Sequence, residues 1–180
     1  MIVLIGGSSH VGKTLLAQKF LERFHYPYLS LDHLKMGMIR SGMTNLTVYD
    51  DVEMRYFLWP IVAEMIKTAI ENKQNLIVEG CYIPETWKAF FSEEELKQIR
   101  CSFIMMSESY IRSNFDCICR HANAIEARVE DDLDLDRLIR CSAGFLEDCL
   151  THQIPYYLID NEFDLDAMAN TIASDMGLSF

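Results

Sequence analysis

A glycine-rich segment near the start of the chain carries residue types that bind phosphate groups. Gly7–Thr14 satisfies the pattern G-x-x-x-x-G-K-[ST] with no mismatch, between an apolar strand-like run and an amphipathic segment. Glycines let successive backbone N–H groups face a β-phosphate, and the N-terminus of the following helix adds a positive dipole. Lys13 would reach the β- and γ-phosphates, and the Thr14 hydroxyl would bind the bridging Mg²⁺. The segment therefore predicts a site for the phosphates of ATP or GTP. The predicted nucleotide-binding residues here are Gly7, Ser8, Ser9, His10, Val11, Gly12, Lys13 and Thr14, with His10 given no catalytic role.

Acidic residues follow two other apolar runs. Asp32 follows the second strand-like run, and Glu79 follows the third. Because ligands of open α/β sheets bind beyond the carboxyl ends of the strands, both carboxylates are expected near the phosphate loop. Asp32 is a candidate to accept the proton of an acceptor hydroxyl or to orient it, and its alternative role is to cap a helix. Glu79 is a candidate magnesium ligand beside Gly80, which permits close approach, and its alternative role is that of a solvated or ion-paired glutamate.

Short apolar runs alternate with longer amphipathic stretches, which predicts an α/β fold with a parallel sheet. The predicted strands are Ile2–Ile5, Tyr28–Leu31, Leu76–Val78, Ser102–Met106 and Tyr156–Ile159. The predicted helices are Lys13–Phe24, a helix from Val52 to about Ile70, Glu108–His121, Leu133–Leu150 and Leu165–Met176. Pro60 is expected to kink the second helix or divide it near Trp59. No repeat or linker interrupts the series, so one domain over residues 1–180 is expected.

The composition limits the partners that the protein is expected to have. The 180 residues are 50% hydrophobic and 24% charged, which is typical of a folded globule. A formal charge of -11 argues against a broad basic face for nucleic acid or anionic lipid. No apolar run approaches the roughly 20 residues that a membrane span needs, and the N-terminus lacks a secretory signal. Six scattered cysteines are interpreted as reduced thiols, so a cytoplasmic location is expected.

Three segments together resemble the nucleoside-monophosphate-kinase-like family of small P-loop kinases and phosphotransferases, which includes adenylate, shikimate and gluconate kinases and zeta-toxin relatives. They are the Gly7–Thr14 loop, Leu31-Asp32-His33 and Val78-Glu79-Gly80. The resemblance spans nearly the whole chain. It implies a three-layer sandwich with a five-stranded parallel sheet of order 2-3-1-4-5 and helices on both faces.

The same resemblance implies a lid over about residues 112–130. Arg112, Arg120 and Arg128 lie on or beside its helix, and Arg120, then Arg128, would neutralise charge on the transferred phosphoryl group. Pairing with neighbouring Asp and Glu residues is the alternative. Asn161, after the fifth strand, would touch adenine or instead cap the next helix.

The acceptor would occupy a segment at about residues 33–60. Arg40 is the candidate to grip an acceptor phosphate, and Lys35, Arg55 and Tyr49 are further possible donors. The favoured hypothesis is an ATP- and Mg²⁺-dependent kinase that acts on a hydroxyl metabolite or a nucleoside monophosphate. The alternative is a nucleotide-dependent switch or simple NTPase, although the sequence contains no guanine-reading Asn-Lys-x-Asp. The sequence leaves open whether the protein is a monomer or a homodimer.

Overall fold

A parallel β-sheet lies at the centre of the computed structural model, which describes residues 1–121 and 133–178. Its five strands have the order β2-β3-β1-β4-β5, which confirms the predicted α/β fold and strand order. The strands are β1 (Ile2–Gly7), β2 (Tyr28–Ser30), β3 (Leu76–Glu79), β4 (Ile99–Met106) and β5 (Tyr156–Ile159). The α-helices among the described residues are α1 (Lys13–Phe24), α2 (Leu31–Arg40), α3 (Asp51–Glu71), α4 (Glu93–Leu96), α5 (Glu108–His121), α6 (Leu135–His152) and α7 (Leu165–Asp175). A 3₁₀ helix spans Trp87–Phe90.

The central strand β1 explains why apolar layers form on both sides of the sheet. All of its residues are buried, and successive side chains point to opposite faces. Ile2 and Leu4 pack in one core with α3 and α6, whereas Val3 and Ile5 pack in the other with α1 and α7. A strand buried on both faces needs a continuous apolar sequence, which is the pattern that β1 has.

The second strand ends one residue earlier than predicted, and it is followed by a helix whose bounds were not predicted. β2 ends at Ser30, and Leu31 is already the first residue of α2. Asp32 therefore lies in the first turn of a helix, and Ser30 occupies the N-cap position. The predicted extension of the strand to Leu31 was wrong, because an apolar residue at a strand exit can also begin a helix that packs on the core.

Helix α3 runs without interruption through Pro60. Division of the helix near Trp59, one of the two predicted effects of this proline, does not occur. Pro60 lies on the exposed side, and the carbonyl that loses its helical partner belongs to Tyr56, which is 55% exposed. Water can therefore solvate that carbonyl, while Leu58 and Trp59 remain buried in the core.

The strand register places the ends of the strands together. Ile5 of β1 is level with Glu79 of β3, and Glu79 is level with Ser30 of β2. On the other side, Gly7 is level with Ile104 of β4. The loop after β1, the first turn of α2 and the end of β3 thus share one edge of the sheet. None of the helices in the described part of the chain is both long and apolar enough to span a bilayer.

Candidate active site

The segment Gly7–Thr14, named the phosphate loop after the ligand that its motif predicts, connects β1 to α1. Only glycine fits at its first position. Gly7 has a φ of 115°, and a Cβ atom placed there would lie 2.0 Å from the carbonyl oxygen of Ile104. The next residue, Ser8, donates its backbone N–H to that same oxygen at 3.0 Å. The loop is therefore fixed against β4 at its first residue, and any side chain at position 7 would displace it.

The N-terminus of α1 is suited to an anion. Its first turn contains no acidic residue, so the helix dipole is not compensated by a carboxylate of the helix itself. Lys13 is only 8% exposed, and its Nζ donates to the carbonyl oxygen of Ser8 at 2.6 Å. The ammonium group is thus held inside the loop by a neutral carbonyl. A phosphate entering the loop can replace that weaker partner.

Thr14 and Glu79 come together from different elements. Thr14 is the second residue of α1, and its Oγ1 lies 3.3 Å from Oε1 of Glu79 at the end of β3. Glu79 is 1% exposed. A hydroxyl and a carboxylate are hard oxygen donors of the kind that Mg²⁺ accepts, and Mg²⁺ commonly uses one or two such protein groups beside phosphates and water. The pair therefore fits the magnesium site that the sequence predicts.

The charges of Asp32 and Lys13 both affect the thiol of Cys81. The pKa of Cys81 is raised to about 11, chiefly by burial and further by the nearby Asp32 carboxylate, while the Lys13 ammonium opposes the increase. Cys81 follows Glu79 and Gly80 at the exit of β3. The two charges therefore have opposite effects on this thiol at the sheet edge.

Gly80 permits the side chain of Leu31 to pack closely against the end of β3. Its φ is 151°, and a Cβ atom there would lie 2.8 Å from Cβ of Leu31. The space that a side chain at position 80 would occupy is thus filled by the first residue of α2. This contact brings the start of α2, and with it Asp32, against the end of β3.

A chain of polar contacts extends from Asp32. Lys35 lies one turn further along α2, with its Nζ 3.3 Å from the Asp32 carboxylate, and it also donates to Oη of Tyr82 at 2.6 Å. The Tyr82 hydroxyl donates to Asp51 at 2.9 Å, and Asp51 also accepts a hydrogen bond from Arg137 of α6 at 3.2 Å. Burial, followed by the neighbouring thiol and carboxylates, raises the pKa of Tyr82, so this hydroxyl keeps its proton.

A second ion pair lies one helical turn beyond Asp51. The guanidinium of Arg55 is 3.7 Å from Glu85 and stacks over the ring of Phe145 at 5.0 Å. Asp148 lies nearby on α6, and burial together with the Glu85 charge raises its pKa. Sequence analysis identified Lys35 and Arg55 as possible donors but did not identify their carboxylate and tyrosine partners. These partners lie on other elements, and no local pattern marks them.

Within the described residues, the remaining predicted arginines form no ion pair with the carboxylates of this group. Arg40 is exposed in the last turn of α2, about 12 Å along the helix axis from Asp32 at 1.5 Å per residue. Arg112 forms an ion pair with Glu108 at 2.8 Å, which is the alternative anticipated for these residues. Arg120 is exposed on the same helix, and its Nε donates to the backbone carbonyl of Asp116 at 3.3 Å. Arg128 lies outside the described residues.

The exit of β5 places an aromatic side chain against the phosphate loop. Asn161 is exposed there. Its alternative predicted role was to cap the next helix, but Asp164 caps α7 by accepting hydrogen bonds from two backbone N–H groups. Phe163 lies so close to Gly12 that a Cβ atom on this glycine would be 2.9 Å from the ring, yet the side chain is 41% exposed. Sequence analysis did not identify Phe163, because a single aromatic residue in a loop gives no periodic signal.

Comparison with known proteins agrees with this geometry at the level of the fold. No protein-family model and no curated protein sequence matches the chain. A gluconokinase from Sinorhizobium meliloti 1021 aligns over 97% of this chain and 90% of its own, with a TM-score of 0.56 and 14% identity. A shikimate kinase from Bacteroides thetaiotaomicron aligns over 99% of both chains, with a TM-score of 0.59 and 14% identity. A deoxyadenosine kinase from M. mycoides aligns over 98% of this chain and 99% of its own, with a TM-score of 0.55 and 14% identity. The chain therefore has the fold found in small P-loop kinases, as its sequence motifs implied.

Proposed function

We propose that the protein is an ATP-dependent kinase that transfers the γ-phosphoryl group to a small-molecule acceptor. The observation that carries this proposal is the shared sheet edge where Thr14 of α1 contacts Glu79 at the end of β3 and where Leu31, the residue before Asp32, packs against Gly80. Lys13, proposed to bind phosphate, and Asp32, proposed to accept a proton, both belong to elements that begin at this edge. This arrangement supports transfer to a hydroxyl group better than it supports nucleotide binding alone.

The proposed reaction forms a bond between the acceptor oxygen and the γ-phosphorus and breaks the bond between that phosphorus and the β,γ-bridging oxygen. Asp32 takes the proton of the acceptor hydroxyl, and ADP leaves with the bridging oxygen. Lys13, freed from the Ser8 carbonyl, neutralises charge on the β- and γ-phosphates. Catalysis in such a site consists mainly of positioning and charge neutralisation, and a lid arginine, Arg120 or Arg128, is proposed to contribute.

Magnesium would be held by Thr14 and by Glu79, directly or through water. It would supply charge neutralisation between the β- and γ-phosphates. The contact between Glu79 and Thr14 supports this role, because it places a carboxylate and a hydroxyl oxygen from two elements side by side next to the glycine-rich loop.

The nucleotide base is proposed to lie near the exit of β5. Phe163 supports this placement, because an aromatic ring that touches Gly12 and remains 41% exposed offers a stacking surface next to the phosphates. Asn161, exposed two residues earlier, remains a proposed polar contact to adenine.

The wider assignments follow from this proposal. The chain is proposed to act as one domain over residues 1–180, with an acceptor segment at about 33–60 and a lid at about 112–130. Its partners are proposed to be ATP and the acceptor, with no nucleic acid or membrane, as a monomer or homodimer in the cytoplasm. The formal charge of -11 supports the exclusion of polyanionic partners.

The test is ADP formation by the purified full-length chain with ATP and Mg²⁺, measured with and without a pool of small hydroxyl compounds. We expect the pool to stimulate turnover, and we expect Lys13→Ala and Asp32→Asn each to reduce the stimulated rate by about 100-fold or more. Lys19→Ala is a matched control, because Lys19 lies on the same helix but pairs with Asp166 of α7.

The variants also separate the kinase from the alternative function. Asp32→Asn should retain nucleotide affinity, whereas Lys13→Ala should lose it, since only Lys13 belongs to the phosphate loop. Turnover of ATP or GTP that no acceptor stimulates, and that Asp32→Asn leaves unchanged, would instead identify a switch or simple NTPase.

A further inference from the structure

Three of the described basic side chains on the acceptor side of the site, Lys35, Arg55 and Arg137, are already paired with carboxylates, and this limits what can bind there. We propose that the acceptor is a hydroxyl compound without a phosphate or carboxylate group, either uncharged or carrying an amine. The proposal rests on the kinase function proposed above and narrows its acceptor.

The pair nearest the reaction centre is Lys35 with Asp32. The two side chains are 13% and 24% exposed, and the Lys35 Nζ also donates to Tyr82 at 2.6 Å. Lys35 additionally lies over the Tyr82 ring at 4.9 Å from its centroid. An anionic acceptor that recruited this ammonium would remove it from the carboxylate proposed to accept the proton, and it would place a second negative charge beside Asp32.

Arg55 is held in a comparable way. It and Glu85 are 21% and 17% exposed, and the Phe145 ring covers the guanidinium. Separating this pair would leave the Glu85 carboxylate partly buried without its cationic partner. Burial and the Glu85 charge already raise the pKa of Asp148, so a further negative charge is disfavoured near these two carboxylates. An acceptor carboxylate or phosphate would meet this repulsion directly.

Arg137 is the most exposed of the three bases, and its pair is the weakest. Its side chain is 67% exposed and that of Asp51 is 48% exposed, so solvent screens their attraction. Asp51 also accepts the Tyr82 hydroxyl, which keeps this carboxylate in place. If Arg137 moved to an anionic acceptor, Asp51 would remain at the same site as an uncompensated charge.

Around these three ion pairs, the described residues carry one more carboxylate than bases. Asp32, Glu85 and Asp51 pair with Lys35, Arg55 and Arg137, and Asp148, whose pKa is raised by burial and by the Glu85 charge, adds the fourth carboxylate. Carboxylates are hydrogen-bond acceptors, which suits a ligand that presents several hydroxyl or ammonium donors. Arg40, the predicted phosphate ligand, does not change this balance, because it lies about 12 Å along α2 from Asp32.

The experiment compares three acceptor pools at equal concentration in the ADP assay. One pool contains uncharged polyols and sugars, one contains amino sugars and amino alcohols, and one contains sugar acids, hydroxy acids and nucleoside monophosphates. We expect compounds of the first or second pool to stimulate turnover at least about tenfold more than any compound of the third. Stimulation by the third pool alone would overturn this inference and leave the proposed kinase function standing. Lys13-dependent nucleotide binding without stimulation by any pool would overturn both.

A charge variant provides an independent measurement. Glu85→Gln removes the partner of Arg55, so it should raise kcat/KM for carboxylate-bearing compounds by about tenfold relative to that for the best uncharged acceptor. Glu64→Gln is the matched control, because Glu64 pairs with the exposed Lys67 on α3 and should leave that ratio unchanged. An unchanged ratio in Glu85→Gln would contradict the proposed role of the ion pairs.

Discussion

One buried hydroxyl connects the phosphate loop to the rest of the protein. In β4, the carbonyl of Ile104 points toward β1 and accepts the N–H of Ser8. Because backbone groups alternate in direction along a strand, those of Met106 also point toward β1. The pairing of β1 with β4 ends at Gly7 and Ile104, where β1 turns into the loop. The backbone of Met106 therefore has no partner on the β1 side of β4. Ser142 of α6 takes that place, donating to the Met106 carbonyl at 2.7 Å and accepting its N–H at 3.0 Å.

The same hydroxyl orients Ser8. Because Ser142 uses its only proton on the Met106 carbonyl, the Ser8 hydroxyl must be the donor in their 3.3 Å contact. Both serines are almost fully buried. Ser142 is therefore interpreted as a positioning residue that links α6, β4 and the phosphate loop. Sequence analysis could not identify it, because a serine in an amphipathic helix has no distinguishing spacing.

Replacing this hydroxyl has a defined expected cost. Ser142→Ala leaves the N–H and the carbonyl of Met106 buried without their partner, so the free energy of unfolding should fall by about 2–4 kcal/mol. It should also weaken ATP binding, measured by titration calorimetry, since Ser8 loses its acceptor. Ser102→Ala is the matched control. Ser102 is a buried serine of β4 whose hydroxyl has no hydrogen bond within the described residues, and its loss should cost less than about 1 kcal/mol. Equal costs for the two variants would contradict the role given to Ser142.

At the scale of elements, the sequence predicted the bounds of a strand or helix where a single apolar run, or a single apolar helix face, determines them. β5 and the helices α1 and α5 have the predicted bounds. β5 is one short uninterrupted apolar run, whereas the apolar residues of the two helices repeat at helical spacing. Glu79 was located for the same reason, as an acid at the end of an apolar strand. The contacts of Tyr82 with Lys35 and Asp51 could not be predicted, since they join three elements whose mutual placement depends on the packed core.

Pro60 gives a prediction about helix α3. A proline in a helix interior costs about 3 kcal/mol relative to alanine, whereas its stiffness in the unfolded chain returns about 0.4–1 kcal/mol. Because Pro60 is exposed and the helix is continuous around it, Pro60→Ala should raise the free energy of unfolding by about 2–2.6 kcal/mol, which is the difference between these two effects. The measurement is the urea midpoint at unchanged m value. Met65→Ala, at another exposed position of α3, should stay within about 0.5 kcal/mol of the wild type. A destabilised Pro60→Ala would mean that core packing around Trp59 requires the local geometry that proline imposes.

At the scale of the whole molecule, the sheet separates two apolar cores, and one of them contains two buried thiols. Cys101 of β4 and Cys149 of α6 are 8% and 1% exposed and lie in the core that contains α3. Burial raises the pKa of both thiols, and that of Cys149 reaches about 12. The Asp148 charge further raises the pKa of Cys149, and Cys149 further raises that of Cys101. Thiols that stay protonated in the folded state link its stability to alkaline pH.

The sign of that link follows from the protons bound by each state. In the unfolded chain these thiols lose their protons near the ordinary value of 9.0, whereas in the folded protein they keep them to about 12 in the case of Cys149. The unfolded state therefore binds fewer protons above pH 9, and stability falls as the pH rises, by at most about 1.4 kcal/mol per pH unit for each thiol. We expect the melting temperature to fall steadily between about pH 9 and 10.5, and to fall less steeply in a variant that combines Cys101→Ala with Cys149→Ala. Cys117→Ala, which removes an exposed thiol, should keep the wild-type slope. The comparison uses slopes, because the double variant also loses core packing at every pH, and equal slopes in all three proteins would show that other groups control the alkaline transition.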